Sequence, residues 1–235
     1  AEASVSITYT DSSASLADGT VVSLRVPHYQ ITDPYSPLPA GILISPRIAS
    51  PTVGVGLIEA IPDQEILAGA DPDDKDGDGI SGRANMVPNY TTGTTTVGRF
   101  GWKSNVADVL GQVASAFQQD MGVTNRVFPQ ESSLGQPQDT HASGGVELPD
   151  TVLHAVVFYM KTLAVPARRD VDNPQTIQGA RLFESTGCAK CHTTTFTTTV
   201  DMTFPYTSNQ VIHPYSDFLV HDMGSALGDG RPDYQ

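Results

Sequence analysis

The sequence predicts a mainly α-helical chain with long irregular loops and a few short β-strands. Three observations lead there. Three segments after residue 100 carry apolar residues at spacings of 3, 4 and 7, the period of a helix with one buried face. Two stretches near the start alternate polar with β-favouring residues. Between these runs lie Pro-, Gly- and Thr-rich segments suited to ordered loop. A chain of 235 residues can bury a sizeable core in one or two domains. The expected division is a loop-rich part with short strands, an acidic loop and one amphipathic helix over 1–145, and a second domain over 146–235.

Ser4 to Thr10 and Thr20 to Thr32 are the expected strands, separated by the turn signal Asp18-Gly19. Pro27 restricts the second to an edge strand or a bend. Asp33 to Pro51 holds five prolines in nineteen residues and should be ordered loop. Gly56 to Ile61 and Asp63 to Ala70 suggest short helical turns broken at Pro62. The first long helix is Ser104 to Met121, with Val106, Val109, Leu110, Val113 and Phe117 inward, Ser104 as N-cap and Gly122 as stop. The second is Pro149 to Ala164, with Val152, Val156, Tyr159, Met160 and Leu163 on one face. Asn125 to Val146 joins them as a polar connection. The third, Gln175 to Thr186, carries Ile177, Ala180, Leu182 and Phe183 and ends at Gly187. Thr193 to Val200, with six threonines in eight residues, is expected to be extended surface loop.

Charge narrows the function classes. There are 26 Asp+Glu against 13 Lys+Arg, a formal net charge of -13. Nucleic acid and anionic membrane surfaces both need basic protein surface, so neither is an expected partner. No apolar run is long enough for a membrane span.

Both cysteines fall in Cys188-Ala189-Lys190-Cys191-His192, a C-x-x-C-H motif. This spacing signals c-type haem attachment. Two thiols in one tight turn can each form a thioether to a haem vinyl group, and the adjacent His192 then reaches the iron. A redox dithiol would want a strand-helix context that is absent, and a zinc site a second cysteine pair. The expectation is haem c in a cytochrome c-like domain over 146–235, with His192 as proximal ligand. The helix before the motif, GARLF at 179–183, resembles the first helix of class I cytochrome c domains, and that resemblance implies that Gly179 and Phe183 let a second helix cross closely. Met223 is the first choice for the opposite axial position, with Met202, His213 and His221 as alternatives and a ligand outside this chain, or an open site, also considered. Only 43 residues follow His192, none with a helical period. Either the Pro149 to Ala164 helix closes the haem pocket or the domain is incomplete and the chain a fragment. Covalent haem implies maturation outside the cytoplasm, hence a periplasmic or extracellular location.

Asp71 to Gly82 (DPDDKDGDGISG) packs five aspartates around one lysine. Asp74, Asp76, Asp78 and Gly79 match the first positions of an EF-hand calcium loop, but the later positions depart, with Asn85 where a glutamate belongs. Calcium held by Asp74, Asp76 and Asp78 is the functional expectation, and a solvated acidic turn the alternative. Trp102 is expected as a core anchor, with a place beside haem as the alternative. His154 is expected as a core histidine, and Glu59 in a capping or salt-bridge role. His28 and His141 prompt no assignment.

Several segments together resemble a known family. They are SPRIA at 45–49, GLIEAIP at 56–62, DGDGISGR at 76–83, GRFGWK at 98–103, AFQQDMG at 116–122, the C-x-x-C-H, and IHPYSDFLVHDMG at 212–224. The chain resembles the bacterial di-haem oxidoreductases, a peroxidase-like (thiol-oxidoreductase-like) family. That family is similar to di-haem cytochrome c peroxidases, in which one haem passes electrons, another reduces hydrogen peroxide, and calcium lies between haem domains. The resemblance places Cys188, Cys191 and His192 at one haem and strengthens the calcium expectation. Members of the family are longer, with another C-x-x-C-H upstream. The chain thus corresponds to the middle of such a protein or to a reduced relative. The implied partners are a second haem domain or chain and a redox protein, a cytochrome or a cupredoxin. The alternative function is a non-catalytic electron-transfer cytochrome with its haem as a relay.

Overall fold

The computed structural model describes residues 3–136, 139, 145–224 and 228. Two compact units emerge. One comprises 1–48 with 135–140, and the other 49–134 with 141–235.

The first unit is built on a long ribbon. Strand β1 (Ser4–Ser15) pairs antiparallel with β2 (Val21–Thr32), from Ser4 opposite Thr32 to Ser15 opposite Val21. The turn forms where Asp18-Gly19 predicts it. Gly19 has φ 84°, and the Asp18 carboxylate accepts from the Thr20 amide at 2.9 Å. β1 runs five residues past the predicted Thr10, because pairing overrides the weak β-propensity of Asp11 to Ser15. Pro27 stays inside β2, opposite Tyr9, and a two-stranded ribbon accepts it because each strand has a free edge. Val5, Ile7 and Tyr9 alternate onto one face and remain exposed.

The second unit holds the helices. They are α1 (Val55–Glu59), α2 (Asp63–Ala68), α3 (Val109–Met121), α4 (Asp150–Thr162) and α5 (Pro174–Ser185). Three two-stranded sheets complete the described elements: the ribbon, β3 (Met86–Asn89) with β4 (Thr94–Val97), and β5 (Phe196–Thr197) with β6 (Val211–Ile212). The mainly α expectation is corrected: 25% of the described residues are helical and 19% are strand. The helices form where periodicity places them, but they are short. The N-terminal alternation gives a 12-residue ribbon, and the Thr-rich segment contributes β5, burying Phe196 and Thr198.

α3 starts at Val109 with Asp108, not Ser104, as its N-cap. Ser104 takes a left-handed φ of 48° and is buried, donating from Oγ to the Phe218 carbonyl at 2.9 Å. Asp108, 1% exposed, caps the helix by accepting from the Gly111 amide at 2.9 Å. Glu59 accepts from the Val109 amide at 2.8 Å and pairs with Lys161, so it fills both roles expected of it. Gly122 ends the helix at φ 67° as predicted.

The main core lies between α3 and α4. Val109, Leu110, Val113 and Ala114 meet Leu148, Leu153 and Val157, with Phe100 alongside. The inward face of α4 is rotated from the predicted one. Leu153 and Val157 are buried, whereas Val152 and Tyr159 are exposed. His154 is also outside, where its Nε2 accepts from Arg126 at 3.3 Å, so it is no core histidine. A second core joins Ile61, Ile66, Val97, Phe196 and Phe218. Buried Arg99 donates to the carbonyls of Ile58, Glu59 and Ile61 and pairs with Asp63, closing the end of α1. Trp102 is 60% exposed and does not anchor the core. No described helix is long and apolar enough to cross a membrane.

Candidate functional site

The C-x-x-C-H segment leaves α5 through Gly187, whose φ of 84° turns the chain into a 3₁₀ turn over Cys188–Lys190. The turn is closed by the Lys190 amide on the Gly187 carbonyl (3.1 Å) and the His192 amide on the Cys188 carbonyl (3.0 Å). Both cysteines are free thiols, Cys188 exposed and Cys191 half-buried. Burial, then the nearby Asp217 and Asp78 charges, push the Cys191 thiol above its ordinary range.

His192 is oriented by one contact. Its Nδ1 donates to the Tyr215 carbonyl oxygen at 2.9 Å. A carbonyl only accepts, so Nδ1 carries a proton, and in the neutral ring the lone pair is on Nε2. This is how a metal-ligating imidazole is held by its second partner. Tyr215 itself takes a left-handed φ of 54°. Its ring meets Phe183 of α5 edge-on at 5.4 Å, and Phe183 lies 6.1 Å from the His192 ring. Phe183 therefore braces both residues from the helix preceding the motif.

Asp217 connects the motif to the following segment. Its amide donates to the Cys191 carbonyl at 3.1 Å, and its carboxylate accepts from His221 Nε2 at 2.7 Å. Both side chains are largely covered, and Asp217 raises the imidazole pKa above its ordinary value. The i, i+4 spacing of Asp217 and His221 was visible in the sequence; the carbonyl contact was not.

The other candidate ligands are placed as follows. Met223 is 64% exposed and Met202 83% exposed. His213 is held through Nδ1 by the Thr194 carbonyl at 3.0 Å and borders a cleft of about 210 Å³ that also touches Phe183, Arg168 and Tyr215. The cleft flanks the His192 support, but neither cysteine lines it. No residue of α5 is buried; Ile177 and Leu182 are 42% and 52% exposed, and Gly179 faces open space. α4 packs on α3, on α1 and on the Pro205–Thr207 turn. The site thus offers two free thiols, an imidazole whose Nε2 makes no protein contact described for the site and a helix with an uncovered apolar face, a donor set that fits covalent haem.

The acidic loop adjoins this site. Carboxylate oxygens of Asp71, Asp74 and Asp76 lie within 4.8 Å of one another. Asp78 lies outside this group. Its Oδ2 pairs with Lys190 Nζ at 2.9 Å, between the two cysteines of the motif. Lys190 holds the Asp78 carboxyl below its ordinary range, and the Lys75 amide does the same for Asp71. The loop closes with the Asp71 amide on the Gly82 carbonyl (3.1 Å), and Arg83 exchanges backbone bonds with Val220 at 2.9 and 2.8 Å. Gly82 permits this junction, since a Cβ there would come within 2.7 Å of Leu219.

The family model described as "Di-haem oxidoreductase, putative peroxidase" matches residues 1–235. No curated protein and no solved structure matches the chain.

Proposed function

The chain belongs to the di-haem oxidoreductase family, and from that premise we propose that it carries one haem as haem c in a peroxidase-like redox protein. The observation that carries the reading is the Nδ1 bond from His192 to the Tyr215 carbonyl, which leaves Nε2 as a ready iron ligand. Cys188 and Cys191 supply the thioether sulfurs. Phe183 keeps the His192 ring and Tyr215 in register, and the Tyr215 carbonyl makes the imidazole a stronger donor. Bound haem supplies an iron that exchanges single electrons and, with an open coordination position, reduces peroxide. Met223 is the proposed ligand in the electron-transferring state. A second haem is contributed by another domain or chain, since this sequence holds one C-x-x-C-H.

Asp71, Asp74 and Asp76 are the proposed calcium ligands, where one cation relieves the repulsion of three adjoining carboxylates. The location is periplasmic or extracellular, and the electron donor a cytochrome or cupredoxin. With a net charge of -13, a basic partner face accelerates encounter.

The test is expression with a c-type maturation system, followed by haem staining of a denaturing gel and optical spectra with and without hydrogen peroxide. Covalent haem in the wild type, lost in Cys188→Ser/Cys191→Ser, is the expected result; haem that washes out on denaturation contradicts it. A peroxide-induced spectral change supports the peroxidase-like reading, and its absence with intact covalent haem favours the relay cytochrome. For calcium, chelation lowers both metal content and melting temperature; no change in either removes the assignment.

A further inference from the structure

Lys190 occupies a position of the C-x-x-C-H that the attachment chemistry leaves free. Its side chain nonetheless reaches Asp78 at 2.9 Å, and the Asp78 side chain is 23% exposed, though the residue lies at the surface. The second Asp78 oxygen accepts from the Ile80 amide at 2.8 Å, which fixes the carboxylate in the loop. The loop and the motif are also joined through backbone. Arg83 pairs with Val220 at the loop exit, and the amide of Asp217 reaches the Cys191 carbonyl. These contacts form a ring running from Asp78 to Lys190 and Cys191, on through Asp217 and Val220 to Arg83, and back into the loop. Exposed ion pairs contribute little to global stability, and Lys190 is 49% exposed. What the pair does control is where the one positive charge carried inside the attachment motif is held.

We propose that Asp78 is a positioning residue for the haem-attachment turn, and that with Lys190 it sets the charge beside the iron and so the haem potential. The proposal rests on the covalent-haem reading above. A negative charge near the iron favours the oxidised state and a positive charge the reduced one. The two members of the pair therefore act with opposite sign.

The experiment is redox titration of the haem-loaded full chain as wild type, Asp78→Asn, Lys190→Gln and the double variant. Asp78→Asn shifts the midpoint potential upward, Lys190→Gln shifts it downward, and the double variant returns toward wild type. Raising ionic strength shrinks both single shifts. Asp73→Asn, the same charge change in the same loop, shifts it less. Single shifts of the same sign, or none with haem fully attached, overturn the proposal. If Asp78→Asn fails to load haem, Asp78→Glu restores loading; failure to restore it also counts against the proposal. A wild-type chain that never acquires covalent haem overturns the haem reading itself, and mass spectrometry separates that outcome from the others.

Discussion

Replacing Gly187 by Ala tests whether the attachment turn is built on backbone conformation. Gly187 has φ 84°, and a Cβ added there would meet nothing nearer than Lys190 Cδ at 3.8 Å. Steric crowding therefore contributes nothing, and the cost is that of holding an L-residue in the left-handed region, about 1–2 kcal/mol. In a chain of this size that is a fall in melting temperature of roughly 2–8 °C. Gly187→Asn should fall less, because its short polar side chain tolerates the same conformation. Since Cys188 follows directly, a turn that relaxes to avoid the strain also misdirects its thiol. The assays are thermal unfolding of the haem-free chain and covalent haem yield after maturation. Ala matching wild type in both, or Asn proving worse than Ala, would refute the argument.

The Asp217–His221 pair gives a pH-dependent prediction. A raised imidazole pKa means stability that is fully present below the unfolded-state value and lost as pH rises through the folded-state value. Asp217→Asn should therefore destabilise more at about pH 5 than at about pH 8. The acid-side loss is about 1.5–3 kcal/mol, the range for a charge-assisted hydrogen bond; an equal loss at both pH values in urea unfolding contradicts it. Asp108 caps α3 and also accepts from the Thr91 amide and hydroxyl, both at 2.6 Å. Asp108→Ala should cost about 1–2 kcal/mol, the loss of a helix cap, while the exposed Thr91 keeps its amide bond to Asn89, read as a lower denaturant midpoint. Met223→Ala should remove the methionine-to-iron charge-transfer band of the oxidised protein if Met223 is the opposite ligand; an unchanged spectrum excludes that role.

Local signals are legible in the sequence where one residue type answers one local need. Asp18-Gly19 marks the ribbon turn and Gly122 the end of α3, because a left-handed backbone selects for them. The C-x-x-C-H stands out in the sequence because both cysteines of the chain fall in it. What periodicity left open is where packing decides. The face of α4 turned from Val152 to Leu153 because the α3 surface, not spacing alone, selects the buried stripe. Ser104 looked like a cap, yet its hydroxyl serves a carbonyl 114 residues away. The support for His192 was hidden because any residue at 215 presents the same carbonyl. The acidic loop was legible as a charge cluster, but its division between Asp71, Asp74 and Asp76 on one side and Asp78 with Lys190 on the other is a tertiary fact.

The bond from His192 to Tyr215 also has a consequence in time. Its carbonyl comes 23 residues after the histidine, and the segment beyond it is anchored through Phe218 to a core reaching back to Ile61. Such distant pairings form late, after the loop-closure entropy between them has been met. Until that pairing forms, His192 is thus an unbraced imidazole beside the two cysteines of its motif. The brace arrives only as the core around Phe218 closes, so on the covalent-haem reading proposed above attachment would come before the brace that fixes its geometry. A lesion in that core should accordingly spare haem incorporation while loosening the finished site.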